Sequence, residues 1–313
     1  MNILSLFDGI SCGQIALERV GINVNNYFAS EIDKNAIKIT MQNYPNTIQL
    51  GDITKLDDSI LLTLPKIDLL IGGSPCQQLS RAGNGKGLNG ESSRLFWEYV
   101  RVLNWIKEHN NPSVKFLLEN VHMKKNNENI ISHELGVKPI DINSKLISAQ
   151  NRPRLYWTNI EVSEIVDKAP NLIEILDDVE IETISANGLR FDKHISEKAM
   201  NLVTNVNGEI RVKQATKLGY ILANNGDGVN LAFPTSTTRR GRVIKSKSNT
   251  LDCSCEACVL IDNVIRYFTI NELEKLQTLP INYTHGVSDI DRKKAIGNGW
   301  TVDVIAHLFK GLN

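Results

Sequence analysis

The chain opens with short apolar runs separated by stretches in which apolar residues recur every three or four positions. Residues 3–7 form an apolar run that stops at Asp8-Gly9, and residues 13–20 then carry helical spacing. A second run, 27–30, ends at Glu31, and Asp33 is placed to cap a helix reaching to about Gln42. Residues 47–50 lead to Gly51-Asp52, and residues 67–71 lead to Gly72-Gly73-Ser74-Pro75-Cys76. A helical stretch over 93–108 precedes a further strand at 114–118, which stops at Glu119-Asn120. Strands alternating with helices predict an α/β fold built on a doubly wound, mostly parallel sheet.

Ligands of such sheets bind beyond the carboxyl ends of the strands. Here one strand after another ends in a chemically capable side chain: Asp8, Glu31, Asp52, Cys76 and Glu119. A turn preference explains any one of these, and explains the series poorly. The alternation fades over 161–263, which reads as a second, smaller and irregular domain. A helical pattern returns at 270–279 and again at 302–312, so residues 1–160 and 264–313 are expected to form the first domain.

Composition alters this picture little. The 313 residues hold 35 basic and 35 acidic side chains, so net charge gives no hint of a polyanionic partner. Distribution is more telling: residues 161–182 carry eight acids against Lys168 alone, whereas 239–247 carry five basic residues and no acid. No apolar run reaches the roughly 18 residues of a membrane span. The opening lacks the basic start of a signal peptide, so the cytoplasm is the expected compartment. Cys12, Cys76, Cys253, Cys255 and Cys258 make an odd set, which disfavours a disulfide framework. Cys253, Cys255 and Cys258 lack an evident fourth ligand and have atypical spacing, so no metal is expected.

Six segments, in order, resemble the motifs of the carbon-5 cytosine-specific DNA methyltransferases. They are Phe7-Asp8-Gly9-Ile10-Ser11-Cys12-Gly13, Ser74-Pro75-Cys76-Gln77, and Leu118-Glu119-Asn120-Val121, followed by Gln150-Asn151-Arg152-Pro153-Arg154, the stretch from Phe268 to Pro280, and Gly297-Asn298-Gly299-Trp300. The resemblance is to the compact bacterial and phage enzymes and, more distantly, to the animal de novo methyltransferases. It implies a Rossmann-like fold that uses S-adenosylmethionine, with 161–263 as the target recognition domain. Carbon 5 of cytosine is not nucleophilic until a thiolate adds to carbon 6 while an acid holds ring nitrogen 3. By the resemblance Cys76 is that thiolate, Glu119 is the acid, Asn120 braces the Pro75-Cys76 segment, and Arg152 and Arg154 hold the base carbonyl and position the thiolate.

The same resemblance assigns a cofactor pocket to Phe7, Asp8, Gly9, Ile10, Ser11, Cys12 and Gly13. Glu31 is expected on the ribose diol and Asp52 on the adenine amino group, with Ile32 and Ile53 flanking the ring. Pro75, Leu95, Asn298 and Trp300 complete it. Ser11 and Cys12 depart from the family's usual Gly pair. Double-stranded DNA is the implied partner, and its target base must leave the stack. The glycine-rich segment 81–90 reads as a lid, with Ser80 and Arg81 at its base. Arg239, Arg240 and Arg242 are candidates for phosphate or guanine contacts, and Thr250 for support of the flipped nucleotide. A cognate restriction endonuclease is a candidate partner. Two rival readings remain, a transfer-RNA methyltransferase of similar fold and a silent DNA-binding subunit. Activity on duplex DNA but not RNA separates the first.

Overall fold

The computed structural model describes residues 1–75, 94–168, 170–238 and 241–312, and these divide into two compact units. The first comprises Met1–Asn143, Pro153–Ile165 and Gly299–Asn313. Its strands are β1 (Asn2–Leu6), β2 (Asn26–Ser30), β3 (Ile48–Gln49), β4 (Leu69–Gly73), β5 (Lys115–Asn120), β6 (Ile140–Asn143) and β7 (Pro153–Thr158). They form one sheet in the order β3-β2-β1-β4-β5-β7-β6. The pairs from β3 through β5 are parallel, and β7 runs antiparallel to both β5 and β6.

Helices α1 (Cys12–Arg19), α2 (Lys34–Asn43), α3 (Asp58–Leu61), α4 (Arg94–His109) and α5 (Lys125–Leu135) connect these strands, and a C-terminal helix, Val302–Phe309, closes the unit. Continuous burial of Ile3–Leu6 and of Leu69–Gly72 reflects a parallel sheet covered on both faces. Asp33 caps α2 as expected, its carboxylate accepting from the Asn35 and Ala36 amides. Chain direction across the sheet reverses between β1 and β4, so the strand ends around Phe7 and Ser74 lie at the topological switch point.

The second unit comprises Ser144–Arg152 and Val166–Asn298. Residues 161–263 read as irregular in the sequence, yet they carry eight short strands. These are β8 (Thr183–Ala186), β9 (Leu189–Asp192), β10 (Val203–Val206), β11 (Glu209–Lys213), β12 (Tyr220–Ala223), β13 (Gly228–Asn230), β14 (Arg242–Ile244) and β15 (Ala257–Ile261), with β16 (Val264–Tyr267) next. They make a three-stranded sheet, β10-β11-β12, and a six-stranded one, β14-β13-β15-β16-β9-β8. With three to five residues each, these strands are too short for alternation to register. Their two-residue turns are explicit, however. Asn187-Gly188, Asn207-Gly208 and Asp262-Asn263 all have positive φ, as type I′ hairpins require.

Residues 264–298, grouped with the first domain by the sequence pattern, pack in the second unit. Strand β16 pairs with β15 and β9 there. Arg266 forms a buried two-point pair at 2.7 and 2.8 Å with Glu272 of the helix Ile270–Leu276. The helical reading of 270–279 therefore ends three residues early, while a helix at Asp289–Asn298 escaped the sequence pattern. Among the described residues no helix is long and apolar enough to cross a membrane.

Candidate active site

The loop after β1 bends sharply because three of its residues, Phe7, Gly9 and Ser11, hold φ between 55° and 59°. Side chains from neighbouring elements hold that unfavourable backbone in place. The Gly9 amide donates to Glu31 Oε2 at 2.8 Å, Tyr27 donates to Asp8 Oδ1 at 2.7 Å, and the Ser11 hydroxyl donates to Asp8 Oδ2. Buried Gln14 bonds Ser11 Oγ and Thr47, at 3.2 and 2.8 Å. Gly13 is needed for contact rather than for φ: a Cβ there would lie 2.5 Å from Ile71 and 2.9 Å from the Tyr27 hydroxyl. The helix α1 can therefore start hard against β2 and β4. Burial raises the Asp8 carboxyl to about 6, against the lowering effect of its hydroxyl donors and with a smaller push from Glu31.

Glu31 Oε1 also accepts from the Ile32 and Asp33 amides at 2.7 and 2.8 Å, so its carboxylate ties the ends of β1 and β2 together. Asp52 caps the 3-10 turn Ile53–Lys55 through the Thr54 amide and hydroxyl, both at 2.9 Å, and these bonds lower its pKa. Of the two isoleucines expected beside a ring, Ile32 is 72% exposed, but Ile53 is 4% exposed and packs in the core. A flat ligand can meet Ile32 and not the side chain of Ile53. Ile10 and Cys12 are likewise buried. Among the described residues, Cβ atoms built on Gly9 and Gly51 would meet nothing within 4 Å. Phe7 and Leu95 pack, partly buried, against the main core.

On the other side of the switch point, Asn120 Nδ2 donates to the Ser74 carbonyl at 3.3 Å and to its hydroxyl at 3.0 Å. Buried Asn120 thus braces the segment carrying Pro75. Glu119 faces Tyr156 across the β5–β7 pairing, which places Arg154, two residues before Tyr156, on the same sheet face. Arg154 Nε meets Glu119 Oε1 at 2.9 Å, with both side chains 12% exposed. Trp300 Nε1 donates to the other oxygen, Oε2, at 3.2 Å. Cys76, Ser80, Arg81 and the segment 81–90, with Arg239 and Arg240, lie outside the described residues.

The remaining candidates belong to the second unit. Arg152 is 4% exposed, and its guanidinium donates to the carbonyls of Leu251 and Gly297 at 2.9 and 3.1 Å. Gln150, quoted within a motif but given no role, sits at the centre of this network. It bonds Leu276, Gln277 and the Leu251 amide. Thr250 donates to the Asn151 carbonyl at 2.6 Å. Arg242 is exposed on β14. Lys245 and Lys247 of the basic segment are engaged internally, Lys245 with Asp227 and Leu222, Lys247 with the carbonyls of Lys145, Ser148 and Pro170. Cys253 lies 3.0 Å from Asn298 Oδ1, Cys255 bonds the carbonyls of Asp252 and Lys293, and Cys258 is buried on β15. Burial pushes the Cys255 thiol up to about 12. Cys258 thus lies apart from Cys253 and Cys255, which share the Asp252 turn.

Comparison with known proteins agrees with this architecture. The chain is 37% identical over 174 residues to the orphan methyltransferase M.SPRI of Bacillus phage SPR, covering 51% of this chain and 38% of that one. It therefore spans well under half of that relative's length. It is 29% identical over 321 residues to the type II methyltransferase M.SsoII of Shigella sonnei, covering 97% and 78%. A prophage-encoded E. coli protein, described as a DNA modification methyltransferase, has the same fold, with TM-score 0.65 at 18% identity over 100% of this chain and 98% of that one. The pattern common to C-5 cytosine-specific DNA methylases runs from residue 1 to residue 313, and the chain belongs to that family.

Proposed function

We propose that this chain is a DNA (cytosine-5-)-methyltransferase that moves a methyl group from S-adenosylmethionine to carbon 5 of a cytosine taken out of duplex DNA. The observation that carries this reading is the Glu119 carboxyl, set at a strand end beside the Ser74-Pro75 segment and flanked by Arg154 and Trp300. Cys76 follows Pro75 directly in the chain and is the nucleophile in this reading. Its thiolate adds to carbon 6 while Glu119 holds ring nitrogen 3, which makes carbon 5 nucleophilic. Once carbon 5 has bonded the transferred methyl group, loss of its proton and expulsion of the thiolate restore the ring. Asn120 keeps the Ser74-Pro75 backbone in register for this attack.

The donor set at the ends of β1, β2 and β3 fits S-adenosylmethionine. Glu31 and Asp52 offer acceptors for hydroxyl and amino groups, Ile32 offers an apolar surface, and Gly9 and Gly51 present backbone without a side chain. Bound there, the cofactor supplies an activated methyl group. Phe7, Asp8, Ser11, Pro75, Leu95 and Trp300 belong to the same pocket in this reading. Residues 161–263 are the target recognition domain in this reading, where Arg242 and Thr250 contact DNA, and Arg152 holds the Leu251 and Gly297 backbone.

The test is transfer of labelled methyl from S-adenosylmethionine to duplex DNA, with transfer RNA as the control substrate, and bisulfite sequencing to locate the product. A duplex with 5-fluorocytosine at the target should trap the protein covalently, because fluorine blocks the final elimination. Labelling of RNA alone, or no adduct, overturns the reading.

A further inference from the structure

We propose that Trp300 is a positioning residue for the Glu119 carboxyl, and that Gly73 is the gap through which the two meet; this rests on the role given to Glu119 above. Its carboxyl is held at both oxygens, Oε1 by Arg154 at 2.9 Å and Oε2 by the Trp300 indole at 3.2 Å. A terminal carboxyl torsion is otherwise broad, so one donor on each oxygen fixes its plane. Both partners donate and cannot accept. A proton on Glu119 therefore cannot point at either, and is directed to the remaining side, where a base would present its ring nitrogen. The indole reaches this position only because residue 73 has no side chain. A Cβ there would lie 2.9 Å from Trp300 Nε1 and 3.1 Å from Glu119 Oε2. The φ of Gly73 is not in the left-handed region, so steric room is what the position requires.

Trp300→Phe keeps an aromatic ring of the kind a cofactor wall would use and removes the N–H donor together with part of the ring area. The expected result is a kcat on duplex DNA about tenfold or more below wild type, the loss typical of one bond to a charged group. S-adenosylmethionine affinity by calorimetry should fall by less than kcat does, since an aromatic ring remains at the pocket. Gly73→Ala should reproduce the kcat loss by pushing the two groups apart. As a readout independent of turnover, Glu119→Gln should move the Trp300 indole resonance in nitrogen-15 spectra and leave those of Trp97, Trp105 and Trp157 in place. An unmoved Trp300 resonance overturns the proposal. So does a Trp300→Phe variant with wild-type kcat, or with weaker cofactor binding as its sole defect. Absence of methyl transfer by the wild-type protein instead refutes the functional reading, and the resonance test still decides the pairing.

Discussion

Replacing Asp8 with Asn should stabilise the protein near neutral pH, and the gain should vanish in acid. Burial raises the Asp8 carboxyl from 3.8 to about 6, so the folded state binds a proton that the unfolded chain releases between those values. Stability from this group is fully present below pH 3.8 and is lost as pH rises through about 6. A gap of about two pH units at roughly 1.36 kcal/mol each gives an upper bound of about 3 kcal/mol. Asn has the same shape. Its carbonyl can still accept from Ser11, whose oxygen already accepts from Gln14 and Thr40, and its amide can donate to the Tyr27 hydroxyl, so few contacts are lost. Urea unfolding of both proteins from pH 4 to pH 8 should give nearly coincident midpoints at the acid end, a difference that widens up to about pH 6, and a constant difference above it. A difference independent of pH would refute the reasoning. If Asp8 serves the cofactor, the stabilised variant should also bind S-adenosylmethionine more weakly, the usual conflict between stability and a working site.

Glu31→Ala should weaken S-adenosylmethionine by roughly 1.5–3 kcal/mol per lost bond to the ribose, measured by calorimetry. It should also lower the melting temperature, since the carboxylate accepts from Gly9, Ile32 and Asp33; unchanged affinity removes Glu31 from the pocket. Cys76→Ser should abolish methyl transfer while preserving cofactor binding, because a hydroxyl is the poorer nucleophile at neutral pH. Turnover within tenfold of wild type counts against that role. Arg242→Gln should cost about 1–3 kcal/mol on the cognate duplex alone if this side chain reads a guanine edge. If it only grips phosphate, binding to all duplexes should weaken equally and the salt slope should flatten by about one.

The first unit was legible because each of its signals is local. Apolar runs over 3–7, 27–30 and 67–71, each ended by Gly or an acid, correspond to β1, β2 and β4, and Asp33 announced its helix. The second unit was missed because its strands are brief, although Asn187-Gly188 and Asn207-Gly208 stood in the sequence as hairpin turns. Strands β6 and β7 were missed for a different reason. They pair antiparallel at the edge of a sheet whose other strands set a parallel expectation, and β7 becomes recognisable only opposite β5.

By itself the sequence determined the fold class, the order of the motifs and the identity of the chemically capable side chains at the strand ends. These depend on residues near one another in the chain, or on spacing alone. Which of them act on each other was decided only by tertiary structure. Glu119, Arg154 and Trp300 are far apart in the chain and meet through the β5–β7 register and the absence of a side chain at Gly73. The same holds for the two arginines of one motif. Two positions apart, they part company: Arg154 stands on β7 against a carboxylate, and Arg152, before that strand begins, spends its guanidinium on the carbonyls of Leu251 and Gly297. Long-range pairing sets such contacts, and no local pattern encodes it.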